Sequence, residues 1–299
     1  MKKEALGLTI SIIAVSFASI LIKLCSPSTP PLAIALLRLV FTTLLLTPVL
    51  FLRPSVRQEL RSLPRRSLLI MTGIGIILAA HFSLWITSLT LTSVASSVIL
   101  VTAHPIIVAP LSYLFLRERL SPLNALGIAV SLSGVLLLVT GNQVPGSIDT
   151  LTGNILAWLG GVGAGLYILG GRLMRRTVSL FTYVLVVYAV ASIVLAALVL
   201  ILQVPLAGIP LRDIGLILLM ALISGIFGHT LYNWALGHIK ASVASVALLG
   251  EPIGAALLAL AILNQIPPIF TLYGGAIILL GIYLTTRPPQ ETERGEPLP

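Results

Sequence analysis

Charged side chains are scarce in this chain. Asp, Glu, Lys and Arg together make up 9% of its 299 residues, whereas hydrophobic residues make up 57%. Acidic residues are rarer than basic ones, with nine Asp and Glu against eighteen Lys and Arg. Soluble domains usually carry about 25% charged residues, because water must solvate most of their surface. The composition therefore excludes an ordinary water-soluble protein.

Cysteine and nucleotide-binding patterns are equally sparse. Cys25 is the single cysteine, which excludes an internal disulfide, and we expect it to be an inert small residue near a helix end. The sequence contains no G-x-x-x-x-G-K-[ST] loop, no H-E-x-x-H zinc helix and no G-x-S-x-G nucleophile turn. We therefore predict no cofactor, no metal and no use of ATP as an energy source.

What the chain has instead is a series of apolar runs between residues 5 and 286. Each is about 20 residues long, enough to cross a hydrocarbon core of ~30 Å as a helix. Barrel strands would alternate polar and apolar residues over about ten positions, and these runs do not. We predict an all-α polytopic membrane protein with ten transmembrane helices, at residues 5–25, 31–52, 67–89, 93–115, 121–140, 151–171, 181–202, 212–236, 241–263 and 268–286.

The positive charges sort to one side of these predicted helices. With Met1 inside, fifteen of the eighteen Lys and Arg fall in inner-side segments, Arg212 lies outside, and Lys23 and Arg38 lie within helices. The positive-inside rule predicts this distribution for a multi-pass protein of the plasma (inner) membrane with both termini in the cytoplasm. The expected partner of the basic segments is the anionic inner leaflet rather than nucleic acid. Segment 53–66 is compatible with a short interfacial helix or a basic loop.

The chain also repeats itself. Ser93-Val94-Ala95-Ser96 returns as Ser242-Val243-Ala244-Ser245, 149 residues later, and Pro105-Ile106 returns as Pro252-Ile253 at an offset of 147. Five helices per half is an odd number, so the second half must enter the membrane from the opposite side. Inverted repeats of this kind underlie many secondary transporters. We predict repeats at 1–145 and 146–287, followed by a disordered cytoplasmic tail at 288–299.

These features resemble the drug/metabolite transporter superfamily, and specifically EamA-type exporters. The resemblance is carried by the two five-helix repeats, the mid-helix prolines and the segment Leu116-Arg117-Glu118-Arg119 before a Gly-spaced fifth helix. It implies ten helices, cytoplasmic termini and export of amino acids or other metabolites. The second repeat departs from the pattern, because Gln265 occupies the position that corresponds to Glu118. We expect Glu118 to form local ion pairs at the cytoplasmic surface.

Two ionisable residues occupy equivalent positions near the middle of predicted helices. Glu251 directly precedes Pro252, and His104 directly precedes Pro105. Ionisable groups at this depth are expensive, which makes them candidates for function, and proline removes a backbone hydrogen bond beside each. We predict that both line a midplane cavity, where either could bind substrate or carry a proton. A purely structural pair is the alternative interpretation.

Further candidates for the cavity are polar and aromatic side chains within the helices: His81, Trp158, Tyr232, Asn233 and Arg38. Tyr232 and Asn233 belong to a polar-aromatic cluster, and Arg38 lies deep enough to need a partner or an aqueous cavity. The resemblance to aromatic amino acid exporters implies that His81 and Trp158 line the cavity. Packing between helices is the alternative for the glycines at 160–165 that follow Trp158.

The leading hypothesis is a secondary transporter, not an enzyme, that exports small metabolites by alternating access around the midplane cavity. The resemblance implies amino acids or related amphipathic compounds as substrates. The absence of clustered cations for phosphate groups argues against a highly charged substrate. Proton coupling and facilitated exchange both stay open, as does a channel. A membrane-embedded enzyme acting on a lipid-linked substrate is the alternative function. A monomer is sufficient for the transport mechanism.

Overall fold

A computed structural model describes residues 2–92, 94–141, 151–264, 266 and 269–286. Fifteen α-helices occupy these residues: α1 (Lys2–Leu24), α2 (Pro31–Leu46), α3 (Pro48–Leu52), α4 (Pro54–Ser62), α5 (Arg65–Leu91), α6 (Val94–Thr102), α7 (Pro105–Leu116), α8 (Pro122–Gly141), α9 (Leu151–Met174), α10 (Leu180–Ile201), α11 (Leu211–Met220), α12 (Leu231–Leu236), α13 (Ala241–Ala247), α14 (Glu251–Leu263) and α15 (Ile269–Thr286). A π-helix (Ala221–Thr230) joins α11 to α12.

The helices combine into ten membrane spans, which confirms the predicted fold class. Within the described residues, eight helical segments are long and apolar enough to cross a membrane. Two shorter apolar helices, Pro122–Leu137 and Leu272–Thr286, supply the fifth and tenth spans. The predicted tail at 288–299 and residue Gln265 lie outside the described residues.

Segment 54–62 is a helix rather than a loop. Proline begins α4, where its missing N–H would have no helical partner in any case. Val56 is buried, whereas Arg57 and Arg61 on the same helix are exposed. This short amphipathic helix links the second span to the third.

Two spans are broken at the predicted prolines. The fourth span stops at Thr102 and resumes as α7 at Pro105, with His104 at the junction. The ninth span passes through a single 3₁₀ turn (Leu248–Gly250) before α14 begins at Glu251. Each break leaves an ionisable side chain beside irregular backbone inside the bundle, as inverted-repeat transporters do at their binding sites.

The two repeats end their fourth spans in the same way. Arg117 caps α7 and Asn264 caps α14, both in the left-handed conformation with φ of 53°. These two residues are 147 positions apart, the same offset as the repeated Pro-Ile pairs. The internal repeat is therefore visible even in the φ angle of the residue that caps each helix.

The last spans of the two repeats, α8 and α15, pack backbone to backbone. A Cβ on Gly134 would lie 2.7 Å from Gly274 O, and one on Gly281 would lie 2.5 Å from Ser131 N. Only a glycine fits at such a distance, because the added carbon would overlap backbone atoms. This Gly seam, formed by Gly127, Gly134, Gly274 and Gly281, joins the two halves of the molecule.

Candidate functional site

A cavity lies between the two repeats. Its walls come from the first, third and fourth spans of each repeat: Val15, Ala18, His81, Trp85, Val101, Thr102, His104, Ala164, Tyr167, Ile168, His229, Tyr232, Leu248 and Glu251. Several wall residues are repeat equivalents of one another. Val15 corresponds to Ala164 at an offset of 149, and Val101 corresponds to Leu248 at an offset of 147.

The structure brings His104 and Glu251 together at this cavity. His104 is buried, and its Nδ1 has no hydrogen-bond partner among the described residues. The backbone carbonyl of Glu251 accepts a hydrogen bond from Ser16 Oγ at 3.3 Å, which ties the broken ninth span to α1. The carboxyl group of Glu251 lines the cavity. These two helix breaks thus place one imidazole and one carboxyl on facing repeats.

His81 belongs to an aromatic cluster on α5. Its Nδ1 lies 2.8 Å from the carbonyl oxygen of Gly160, so that nitrogen donates and fixes the ring orientation. Its ring stacks on Trp85, with centroids 6.1 Å apart and an interplanar angle of 6°. The Phe82 ring meets His229 edge-on, with centroids 5.3 Å apart. The cluster gives the cavity a flat aromatic wall with polar edges.

A hydrogen-bonded group of tyrosines around Asn233 lies beside the cavity. Asn233 Nδ2 donates to Tyr167 Oη at 2.5 Å and to the carbonyl oxygen of His229 at 2.7 Å. Tyr188 Oη lies 3.4 Å from the same amide. Tyr232 lines the cavity, and its hydroxyl has no hydrogen-bond partner among the described residues. Asn233 therefore positions a cavity tyrosine rather than lining the cavity itself.

Arg38 lies directly behind the aromatic wall. Its Cζ is 4.4 Å from the Phe82 ring centroid and 6.0 Å from that of Trp85. The side chain is 1% exposed, because α2 presents Ala35, Arg38 and Thr42 on its buried face. Arg38 is deep in the bundle, but the prediction that it lines the cavity is corrected, because it is not among the cavity-lining residues in the described part of the chain.

The structure does not place Trp158 at the cavity. Its side chain is 50% exposed, and it is not among the cavity-lining residues in the described part of the chain. The neighbouring glycines serve helix packing: a Cβ on Gly161 would lie 2.8 Å from Val101 O, and one on Gly163 would lie 3.2 Å from His81 Cβ. The glycines allow α9 to approach α5 and α6, and the prediction that Trp158 lines the cavity is corrected.

The candidates selected from the sequence omit several cavity groups, among them Thr102, Tyr167 and His229. His229 follows the π-helix glycines and reaches the cavity from the eighth span, across from His81. A signal was available, because His229 lies 148 residues after His81, close to the repeat offset. In the described residues, no group of three or more His, Cys, Asp and Glu side chains could hold a metal ion.

The cavity is small, at about 50 Å³. That volume holds a few water molecules, at roughly 10–15 Å³ each on this measure. A metabolite of amino acid size needs more room than this. Binding one therefore requires the wall helices to separate, and the contacts that close the two ends of the bundle oppose that separation.

One end of the bundle carries Arg117, Arg119, Arg172 and Arg176 and is called the arginine-rich face; Glu118 joins the two repeats there. Its Oε1 accepts hydrogen bonds from Arg172 Nε at 2.7 Å and Arg176 Nη2 at 2.9 Å. Its Oε2 accepts from the backbone N–H of Ala241 at 2.8 Å. Glu118 is 5% exposed. The expectation of local ion pairs is wrong, because its partners lie 54 or more residues away, in the second repeat.

A second contact closes the arginine-rich face through α4. Glu59 accepts hydrogen bonds from Ser179 N at 2.8 Å, from Thr182 Oγ1 at 2.5 Å and from Ser179 Oγ. Partial burial raises the pKa of the Glu59 carboxyl, but the hydrogen bonds together outweigh burial, so this pKa lies below its ordinary value of 4.5. The ionised carboxylate is thus the form that holds α4 against α10.

The opposite face is closed by Asp213. Its Oδ2 accepts hydrogen bonds from Thr29 Oγ1 at 2.6 Å and Ser26 N at 2.8 Å, which link the start of α11 to the turn after α1. Cys25 is buried beside this contact. Burial raises the pKa of its thiol to about 11, and the Asp213 charge adds to the rise. The thiol is therefore protonated and unreactive at neutral pH.

Taken together, the ten spans, the internal repeat and the enclosed polar cavity define a multi-pass membrane protein with a central site between two inverted halves. The EamA-like transporter family model matches residues 2–140 and 151–287, which together make up most of the chain. The chain therefore belongs to the EamA-like transporter family, and it is a transporter.

Curated relatives are similar over nearly the full length. Two uncharacterized transporters of Archaeoglobus fulgidus are 27% and 26% identical, covering 96% and 94% of this chain and 99% and 96% of their own. The uncharacterized transporter YyaM of Bacillus subtilis is 26% identical over 67% of each chain. One crystal structure superposes with a TM-score of 0.74 at 19% identity, covering 95% of this chain and 97% of that chain, which supports the fold alone.

Proposed function

We propose that this transporter exports small amphipathic metabolites, chiefly amino acids, by alternating access around the central cavity. The observation that carries the proposal is the composition of the cavity wall. It combines the carboxyl of Glu251, the imidazoles of His81, His104 and His229, and the aromatic surface of Trp85 within a largely apolar shell. Such a wall suits a substrate with both polar and apolar parts.

The mechanism follows from the arrangement of closures. Asp213 closes one face and Glu118 closes the other, and each contact joins the first repeat to the second. Opening one contact while the other holds would expose the cavity to one side at a time, as alternating access requires. In the plasma membrane, the arginine-rich face lies in the cytoplasm together with both termini, in keeping with the positive-inside rule.

Glu251 is the proposed proton carrier, with His104 as its repeat counterpart. A carboxyl in this position changes charge when it takes up a proton, and the charge change alters what the cavity can bind. Exchange of a proton for substrate at this carboxyl would couple export to the proton gradient. The alternative is facilitated exchange, in which the carboxyl keeps one protonation state throughout.

The test is amino acid flux in proteoliposomes, with and without an imposed proton gradient. We expect Glu251→Gln to abolish gradient-driven flux while counterflow exchange continues, because a neutral amide cannot carry the proton. Glu251→Asp is the matched control, since it keeps an ionisable carboxyl. Gradient-driven flux that persists in Glu251→Gln would remove this residue from coupling. If the wild-type protein moves no amino acid under either condition, the proposed substrate class is wrong.

A further inference from the structure

Arg38 carries a full positive charge inside the membrane without a protein partner for its terminal nitrogens. Among the described residues, neither Nη1 nor Nη2 has a hydrogen-bond partner. The side chain is nevertheless 1% exposed, and it is the largest of the fully buried side chains. Burying a charge without hydrogen bonds is strongly unfavourable, so an arginine retained here calls for an explanation.

The surroundings of Arg38 compensate its charge only in part. The Phe82 ring lies beneath the guanidinium at 4.4 Å, and the ring face attracts the cation. Among the described residues, no carboxylate forms an ion pair with Arg38 within 4.0 Å. The two Nη groups thus keep their hydrogen-bonding capacity.

That capacity has a specific geometry. The guanidinium is a planar fork whose parallel N–H donors match the two oxygens of a carboxylate. A lysine or a helix end would neutralise charge equally well but would not provide this fork. Thr42 Oγ1 donates to the carbonyl oxygen of Arg38, which fixes the backbone position from which the fork extends. The chemistry of the unpaired group therefore selects a carboxylate.

The two charges lie on different repeats. Arg38 belongs to the second span of the first repeat, and Glu251 belongs to the fourth span of the second repeat. Arg38 lies beside the Trp85 ring, and Trp85, Val101 and Ile168 line the same cavity as Glu251. One positive group, one negative group and an apolar surface form the complement of a zwitterion with an apolar side chain.

We propose that Arg38 binds the carboxylate of the transported substrate, and that the substrate is a zwitterionic amino acid whose ammonium group faces Glu251. This inference deepens the proposed function and rests on it. The guanidinium lies beside the Phe82 and Trp85 rings and is not among the groups that line the cavity, so the carboxylate would reach Arg38 when the wall helices separate.

The experiment compares amino acids with analogues that lack the carboxylate. The probes are L-phenylalanine and L-leucine, their carboxamides, and phenethylamine, each measured both for binding to the purified protein and for flux in proteoliposomes. We expect the acids to bind at least about tenfold more tightly than the amides, because a charge-assisted hydrogen bond is lost. Arg38→Gln should remove this preference. Arg57→Gln, on the exposed surface of α4, is the matched control and should retain it.

Each outcome of this experiment supports or contradicts either the carboxylate site at Arg38 or the proposed export. Equal binding of acids and amides by the wild type, a preference that survives in Arg38→Gln, or no binding of any carboxylate would overturn the role of Arg38. If Arg38→Gln fails to fold, the wild-type comparison of acid with amide decides alone. Acids that bind through Arg38 but never cross the membrane would contradict export while leaving the carboxylate site in place. Flux of amides equal to that of acids would contradict the carboxylate site and leave export in place.

Discussion

Glu118 and Arg172 form an ion pair, with Oε1 and Nε 2.7 Å apart, that joins the loop after the fourth span to the sixth span. The pair crosses from the first repeat to the second at the arginine-rich face. Arg172 also donates from Nη1 to the carbonyl oxygen of Leu236 at 2.9 Å, so the contact extends to the end of the eighth span. The Glu118–Arg172 pair thus connects segments that lie far apart in sequence.

Removing this carboxylate should loosen the arginine-rich face. We expect Glu118→Gln to lower the free energy of unfolding by about 2–3 kcal/mol, because hydrogen bonds to a charged group are lost at a buried position. Thermal unfolding in detergent measures the change. A double-mutant cycle with Arg172→Gln should give a coupling of at least about 0.5 kcal/mol. Additive losses would show that the two side chains stabilise the face independently.

The opposite face offers a built-in reporter, the buried thiol of Cys25. We expect Asp213→Asn to increase labelling of Cys25 by a membrane-impermeant maleimide, because the mutation weakens the contact with Thr29 and Ser26 and removes a charge that raises the thiol pKa. Thr29→Val separates the two causes, since it breaks a hydrogen bond and leaves the charge. Faster labelling in both variants indicates opening, whereas faster labelling in Asp213→Asn alone indicates the electrostatic effect.

The contact between α4 and α10 should depend on pH. The pKa of Glu59 is lower in the folded protein than its ordinary value of 4.5, so the ionised carboxylate stabilises the fold above that value. The stabilisation should disappear as the pH falls below 4.5 through the folded pKa. The melting temperature of wild type minus that of Glu59→Gln should therefore be constant from pH 7 to about pH 5 and then shrink. A difference that grows on acidification would contradict the assignment.

The Gly seam should tolerate no side chain. We expect Gly134→Ala to lower the free energy of unfolding by about 1–3 kcal/mol, because its Cβ would overlap Gly274 O at 2.7 Å. Gly73→Ala is the matched control: a Cβ there meets nothing within 4 Å. This change should be neutral or stabilising by up to about 1 kcal/mol, since alanine favours the helix. Equal melting temperatures for the two variants would argue against close packing at the seam.

Much of this architecture was predictable from the sequence, because membrane spans and helix breaks are local properties. Apolar length fixes a span, and proline interrupts a helix wherever it stands, so the positions of His104 and Glu251 followed from their own neighbours. The repeat then related one to the other. The same reasoning identified Arg38 as a deep cation.

Properties that depend on distant neighbours were not predictable in this way. The partners of Glu118 lie 54 or more residues away, in the second repeat, and no local pattern marks them. Trp158 was misplaced because the family resemblance and the adjacent glycines favoured a cavity, whereas the helix that packs against those glycines is set by distant parts of the chain. The glycines beside it, read as room for a ligand or for a helix, proved to serve helix packing.

The seam between α8 and α15 has a consequence for how the molecule can move. No side chains separate the backbones of α8 and α15 at Gly134 and Gly274, so we expect these two helices to move as one rigid pair. The first repeat contributes α8 to this pair, and the second repeat contributes α15. Any movement that opens the central cavity must therefore turn about this pair of helices, to which both repeats contribute.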